Sequence, residues 1–186
     1  MYALLSVICY LASASLLVRD MNNSRPPCLP ARVLAVAALI LHAAELYQTA
    51  WVGDGINVTL FNVLSASSWM TSLALLVLSI RRNVLTPAII IFPGTVVWII
   101  AASLWPLKPA IISGYTTSLS VHIFSSLLAY GVLATAALHA LVLTFQERLL
   151  RRHKQRPWMR SLPPLTASEH LMFRIIGVGW GLLSIS

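Results

Sequence analysis

Few side chains in this sequence could do chemistry, and most of those few stand in strongly apolar surroundings. His42 is followed at i+3 by Glu45, with Gln48 and Thr49 beyond, inside one long apolar stretch. Residues three apart share a helix face. His42 falls about 14 Å along its stretch at 1.5 Å per residue, near the middle of a bilayer. Ionisable groups are costly at that depth, so the pair is a candidate site by default. Two readings stand side by side. The pair is either a hydrogen-bonded packing element, or a metal or haem ligand whose second ring nitrogen is oriented by the carboxylate.

His122 opens another apolar run, in which Ser125, Ser126, Ala129 and Tyr130 follow. Small and hydroxylated residues let a helix or a flat ligand approach closely; the alternative is an imidazole contacting water near the membrane surface. His139 lies roughly 25 Å further along the same helix, too far to share a site with His122. Its place near the end of the run predicts an interfacial residue. His153 and His170 are expected to face water or headgroups, and Arg174 to snorkel. Asp54, between Gly53 and Gly55, reads as a turn, and Asn62 as a bond to another helix. The two cysteines, Cys9 and Cys28, form no CxxC pair, so neither zinc nor dithiol exchange is indicated. The chain carries no P-loop, HExxH or GxSxG and no repeat typical of transporters, which leaves catalysis by side chains alone without support.

The elements that must hold these residues are membrane helices. Of 186 residues, 58% are apolar and 10% charged, against about 45–50% and about 25% in soluble domains. A chain so poor in charge cannot cover itself with a water-facing surface. Apolar runs at 1–18, 33–51, 58–80, 88–105, 119–145 and 168–186 predict an all-α, polytopic transmembrane bundle of about six helices forming a single domain. Three prolines, Pro26, Pro27 and Pro30, place a loop over Arg19–Arg32. Pro93 predicts a bend in the fourth span, and Thr166-Ala167-Ser168-Glu169 has the spacing of a capping box opening the sixth. Residues 52–57 and 106–118 read as loops.

Charge fixes an expected orientation. The net charge is +8, and eleven of the thirteen Lys and Arg fall in alternate loops, Arg19–Arg32, Arg81–Pro87 and Gln146–Leu165. Only Lys108 lies in the others. The bias predicts that the basic loops are cytoplasmic and the N-terminus outside. Six of the basic residues lie between Arg148 and Arg160, where Gln146–Arg160 is expected to form a basic amphipathic helix on anionic lipid; nucleic acid is not an expected partner. Met1–Val18 has no basic residue ahead of it, so it reads as a retained helix rather than a cleaved signal. Trp51 and Trp105 fall at expected outer span ends.

Several stretches resemble the cytochrome c assembly superfamily of membrane proteins, which includes CcsA, CcmC and HemX, and within it the YpjD type. They are Leu41-His42-Ala43-Ala44, the Asp54-Gly55 loop leading to Leu60-Phe61-Asn62-Val63, and His122 through Tyr130. Most specific is Leu162-Pro163-Pro164-Leu165 followed by Glu169 and Met172-Phe173. The resemblance implies a non-enzymatic, haem-handling protein of the bacterial inner membrane that helps cytochrome c assembly. It implies His42 and His122 as axial ligands of haem iron, supported by Glu45 and Tyr130, with membrane lipid, haem and other cytochrome c maturation proteins as partners. The tryptophan-rich WWD segment of some members is absent, and members of this type continue through further helices, so the chain is expected to be a C-terminally truncated version. Two other readings compete: an ion or solute transport component using His42 and Glu45 as a proton-titrating pair, and a truncated structural remnant.

Overall fold

The computed structural model of the protein describes residues 1–23, 25–52, 55–81, 85, 87–105, 108, 110–114, 116–151 and 165–185. Six helices account for most of them: α1 (Tyr2–Asn22), α2 (Leu29–Ala50), α3 (Leu60–Arg81), α4 (Ala88–Leu104), α5 (Thr117–Arg151) and α6 (Leu165–Ile185). The all-α bundle expected from hydropathy is present. Four of the helices, α1, α2, α3 and α5, are long and apolar enough to cross a membrane. Helix α4, largely apolar, spans 17 residues, about 26 Å at 1.5 Å per residue and slightly short of a hydrocarbon core of roughly 30 Å.

Along α1 and α2, small and polar residues are concentrated on the inward face. Along α1 the buried positions are Ser6, Tyr10, Ser13, Ala14 and Leu17; along α2 they are Ala31, Ala35, Ala38, Leu39, His42 and Glu45. Both sets recur at three- and four-residue spacing, so each helix turns one small and polar face inward. The large apolar side chains Leu4, Ile8 and Leu11 of α1, and Val33, Val36 and Ile40 of α2, face outward. In lipid an outward leucine costs nothing, and helices associate through close backbone approach and polar bonds. Ser13 Oγ accordingly donates to Ala31 O at 2.8 Å, tying α1 to α2. Trp69 Nε1 donates to Leu39 O at 2.9 Å, tying α3 to α2.

Helices α1 to α4 share one core, in which Tyr10, Leu17, Leu39, Leu75, Phe92 and Ile99 are buried together. A smaller core of Ala74, Val132, Ala136 and Ile175 joins α3 to α5 and α6. Gly131 makes the α3–α5 crossing possible: a Cβ there would meet the backbone of Met70 and Thr71 at 2.9 Å. Beside it, Thr135 Oγ1 lies 3.3 Å from Thr71 O.

Several local expectations need correcting. The Arg19–Arg32 loop is shorter than its prolines suggest, because α1 runs to Asn22 and α2 begins at Leu29 with Pro30 in its first turn. A first-turn proline is tolerated, since its missing N–H would have no helical acceptor anyway. Asp20 closes this connection by accepting from Cys28 N at 2.7 Å. Helix α6 starts at Leu165, so Thr166 lies within its first turn and not at the N-cap. Pro93 lies inside α4, at the position where the bend is expected. Helix α5 carries the start of the basic stretch as far as Arg151, where Glu147 accepts from Arg151 at 2.7 Å; the rest of the expected amphipathic helix, with His153, lies outside the described residues.

The two connections read as loops contain a small sheet. Strands β1 (Trp51–Val52), β2 (Gly55–Asn57) and β3 (Ile111–Ser113) pair antiparallel in the order β1-β2-β3. Pairing joins the α2–α3 connection to the α4–α5 connection and satisfies backbone groups that two separate loops would leave to water. The Asp54 turn expected here lies outside the described residues. Trp105, just past α4, is exposed, as expected of a residue at a span end.

Candidate functional site

His42 is fully buried, with no accessible surface. Tyr10 Oη from α1 lies 3.3 Å from its Nδ1, and Ser65 Oγ from α3 lies 2.9 Å from its Nε2. A neutral imidazole has one N–H and one acceptor nitrogen, and each hydroxyl can play either role, so both ring nitrogens are satisfied at once. The Tyr10 ring meets the imidazole edge-on, with centroids 5.9 Å apart and planes at 87°, and leans on Phe92 of α4 at 5.2 Å. Four helices therefore contribute to the setting of one side chain.

Glu45 lies on the same face of α2, its Oε2 4.0 Å from His42 Nε2. That oxygen is buried and lacks a hydrogen-bond partner among the described residues. A buried carboxylate oxygen without a donor is costly in a low-dielectric interior, so the cluster is polar but incompletely satisfied. Sequence spacing alone pairs His42 with Glu45. Tyr10 and Ser65, 32 and 23 residues away from His42, are not visible that way. The available signals were a tyrosine in the middle of the first apolar run, and the concentration of hydroxyls from Ser65 to Ser72 in the third.

His122 and Tyr130 are elsewhere. Both are on α5, and both are exposed. Helix α5 packs on α3 and α6, so α3 is the neighbour that α5 shares with α2. Between them lies a cavity of about 250 Å³, lined from α2 by Ala43, Leu46 and Tyr47, from α3 by Asn62, Ala66, Trp69 and Met70, and from α5 by Ser120, Ile123, Phe124 and Leu127. Ile56 and Asn57 of β2 reach it from the sheet-bearing end. The lining residues are the immediate neighbours of His42, Ser65 and His122, yet none of those three lines it. Asn62 bonds another helix as expected, donating from Nδ2 to Thr49 O at 3.2 Å. A second cavity, of about 540 Å³, opens toward the other end of the bundle between Met21, Ile89, Ile90, Phe145 and Arg148.

His139 departs from expectation. Predicted to be interfacial, it is buried at 6% exposure, held by the backbone of Ser168 at the start of α6. The position within α5 was read correctly, but α6 packs across it, and no single-helix argument contains that neighbour. His170 and Arg174 are exposed. No cluster of three or more His, Cys, Asp or Glu suited to a metal ion occurs among the described residues.

These features align with known proteins over the whole chain. The chain is 29% identical over 188 residues to the inner membrane protein YpjD of Escherichia coli K12, covering 100% of this chain and 71% of that protein. The match to YpjD of the O157:H7 strain has the same extent. A 28.8 kDa uncharacterized protein of Azospirillum brasilense is 34% identical over 65 residues, 35% of this chain and 24% of that one. No solved structure gives a significant match. The family model described as cytochrome C assembly protein matches residues 30–186, which include His42, Glu45 and Ser65 but not Tyr10. The chain is a membrane protein of the cytochrome c assembly family.

Proposed function

We propose that this protein binds and hands on haem in the bacterial inner membrane, without catalysing a reaction itself, in support of cytochrome c assembly. The observation that carries the reading is His42: a fully buried imidazole in a membrane helix, oriented by a hydroxyl at each nitrogen, beside a carboxylate oxygen that lacks a partner. Ligating histidines are commonly oriented by an outer hydrogen bond on one ring nitrogen; both nitrogens of His42 carry one here, so one of the two would be given up on ligation. Haem, if bound, would supply an iron that neutral imidazole can ligate, and His42 and His122 are the residues proposed to hold it, with Glu45 and Tyr130 in support.

Space supports a transient site more than a permanent one. The cavity between α2, α3 and α5, about 250 Å³, falls below the ~300–1,000 Å³ typical of ligand pockets, so α5 must part from α2 and α3 to admit a macrocycle. Reception and release of cargo both call for such a movable wall. The basic connections are proposed to face the cytoplasm, with the N-terminus and the sheet outside.

An absorption spectrum of the detergent-purified protein, oxidised and then reduced, tests the reading. We expect a Soret band and sharp reduced α and β bands, weakened in His42→Ala and in His122→Ala. A folded preparation that stays colourless after haem addition would refute it. One observation favours a second reading: the unpartnered Glu45 oxygen 4.0 Å from His42 also suits a proton-carrying pair in a transport component. Such a component would be colourless, and its activity in vesicles would follow an imposed pH gradient.

A further inference from the structure

We propose that the groove between α1, α4 and α5, at the basic end of the bundle, binds one anionic phospholipid, with an acyl chain along its apolar walls and the phosphate on Arg148. The inference is independent of the haem reading, since it concerns a different cavity and none of the histidines.

The groove exists because of how the helices pair. Helix α1 packs on α2 and α4, whereas α5 packs on α3 and α6, which leaves a seam between the two sets. The cavity in that seam measures about 540 Å³, within the ~300–1,000 Å³ typical of ligand pockets. Met21 of α1, Ile89 and Ile90 of α4, and Leu141, Val142 and Phe145 of α5 make its walls. None of these side chains can donate a hydrogen bond. The one hydroxyl in the lining, on Thr144, is turned back to its own helix, donating to Ala140 O at 2.9 Å. A polar ligand body would lose its hydration here and regain nothing, so the part that fills the walls has to be hydrocarbon.

Arg148 is the exception in the lining. It shares a face of α5 with Leu141 and Phe145, about 10 Å along the helix from the first and about 4.5 Å from the second. The apolar run of α5 ends at Phe145, so the guanidinium falls at the level of lipid phosphates while the groove reaches into hydrocarbon. Met21, in the last turn of α1, and Ile89, in the first turn of α4, bring the other walls to the same level. Nearby carboxylates are engaged elsewhere: Glu147 accepts from Arg151 at 2.7 Å and Asp20 from Cys28 N at 2.7 Å. Among the described residues no carboxylate pairs with Arg148. Arg19 stands in the last turn of α1, and the sequence beyond α5 adds Arg152, Lys154, Arg156 and Arg160. A cation at the mouth of a hydrocarbon groove is complementary to a molecule that is anionic at one end and apolar along its length. Phosphate matches the planar guanidinium with paired N–H···O bonds. A zwitterionic lipid would bring its own ammonium to this positive end, which favours a headgroup of net negative charge.

Native mass spectrometry of the full chain in neutral detergent tests the site, with phosphatidylglycerol and phosphatidylcholine of the same acyl chains added in turn. The unmodified protein is expected to retain one phosphatidylglycerol about tenfold more tightly than phosphatidylcholine, the scale of one charge-assisted hydrogen bond. Arg148→Gln is expected to erase that preference. Ile90→Trp, which pushes a ring into the groove from the α4 wall, is expected to weaken both lipids. Arg174→Gln removes the same charge from α6, outside the groove, and is expected to leave the preference unchanged. Glycerol phosphate, a headgroup without chains, is expected not to displace the lipid. Arg148, Ile90 and Arg174 are all exposed, so the substitutions spare the core, and the comparison of two lipids on the unmodified protein needs no variant at all. Equal retention of the two lipids would overturn the proposal, and so would equal losses in Arg148→Gln and Arg174→Gln, which would mean that charge acts diffusely. Displacement by glycerol phosphate, or unchanged lipid binding in Ile90→Trp, would remove the groove from the account. A lipid-free dimer that Ile90→Trp breaks would make the occupant a second copy of the chain and overturn it as well.

Discussion

His42 and its neighbours show how a single imidazole is held in a membrane interior. The hydroxyls of Tyr10 and Ser65 come from different helices, and the Tyr10 ring is wedged between His42 and Phe92. Removing the hydroxyl and removing the ring should therefore cost different amounts. Tyr10→Phe keeps the packing and is expected to destabilise the protein by about 1 kcal/mol, the net worth of a hydrogen bond. Tyr10→Ala also opens a cavity and is expected to cost about 3–5 kcal/mol, as for other buried aromatics. Reversible unfolding in mixed micelles of increasing SDS content measures both. Equal losses would mean that the ring contributes no packing.

At the scale of elements, the α3–α5 crossing depends on one missing side chain. A Cβ at Gly131 would press on the α3 backbone at 2.9 Å, whereas at Gly177 of α6 it would meet nothing within 4 Å. Gly131→Val is expected to destabilise the protein by about 1–3 kcal/mol through overpacking, and Gly177→Val to stay within about 0.5 kcal/mol in the same unfolding assay. The sheet offers a second check. Asn57 and Ile111 are paired across β2 and β3, and opposed residues of antiparallel strands lie about 4.5–5.5 Å apart, within disulfide range. In a background lacking Cys9 and Cys28, Asn57→Cys with Ile111→Cys is expected to cross-link under mild oxidation. A shift in gel mobility reversed by reductant reports the bond, and two independent loops would give none.

For the whole molecule, the arrangement is a four-helix core, α1 to α4, with α5 and α6 joined to it through α3. The cavity between α2, α3 and α5 lies along that junction. The positive-inside bias predicts how this assembly sits in the membrane. Single cysteines placed at Lys108 and at Arg151, in the cysteine-free background, are expected to differ. A membrane-impermeant maleimide should label the first in intact cells and the second only after permeabilisation. The reverse pattern would invert the topology.

Composition, hydropathy and charge were enough to place the helices, their number and the residues within them that are expensive in lipid. Those are local properties: an apolar run of sufficient length becomes a helix wherever it sits, because lipid leaves backbone groups no other partner. His42 with Glu45 was legible for the same reason, since i and i+3 meet on any helix, and the family resemblance rested on such short ordered stretches. Tyr10 and Ser65 as partners of His42, the sheet joining two connections, and the burial of His139 under α6 were decided only by tertiary structure. Each depends on how far one helix is rotated and shifted against another. That is set by small-residue contacts such as Gly131 against Met70 and by bonds such as Ser13 to Ala31, which act between residues far apart in the chain and leave no periodic trace in either segment alone.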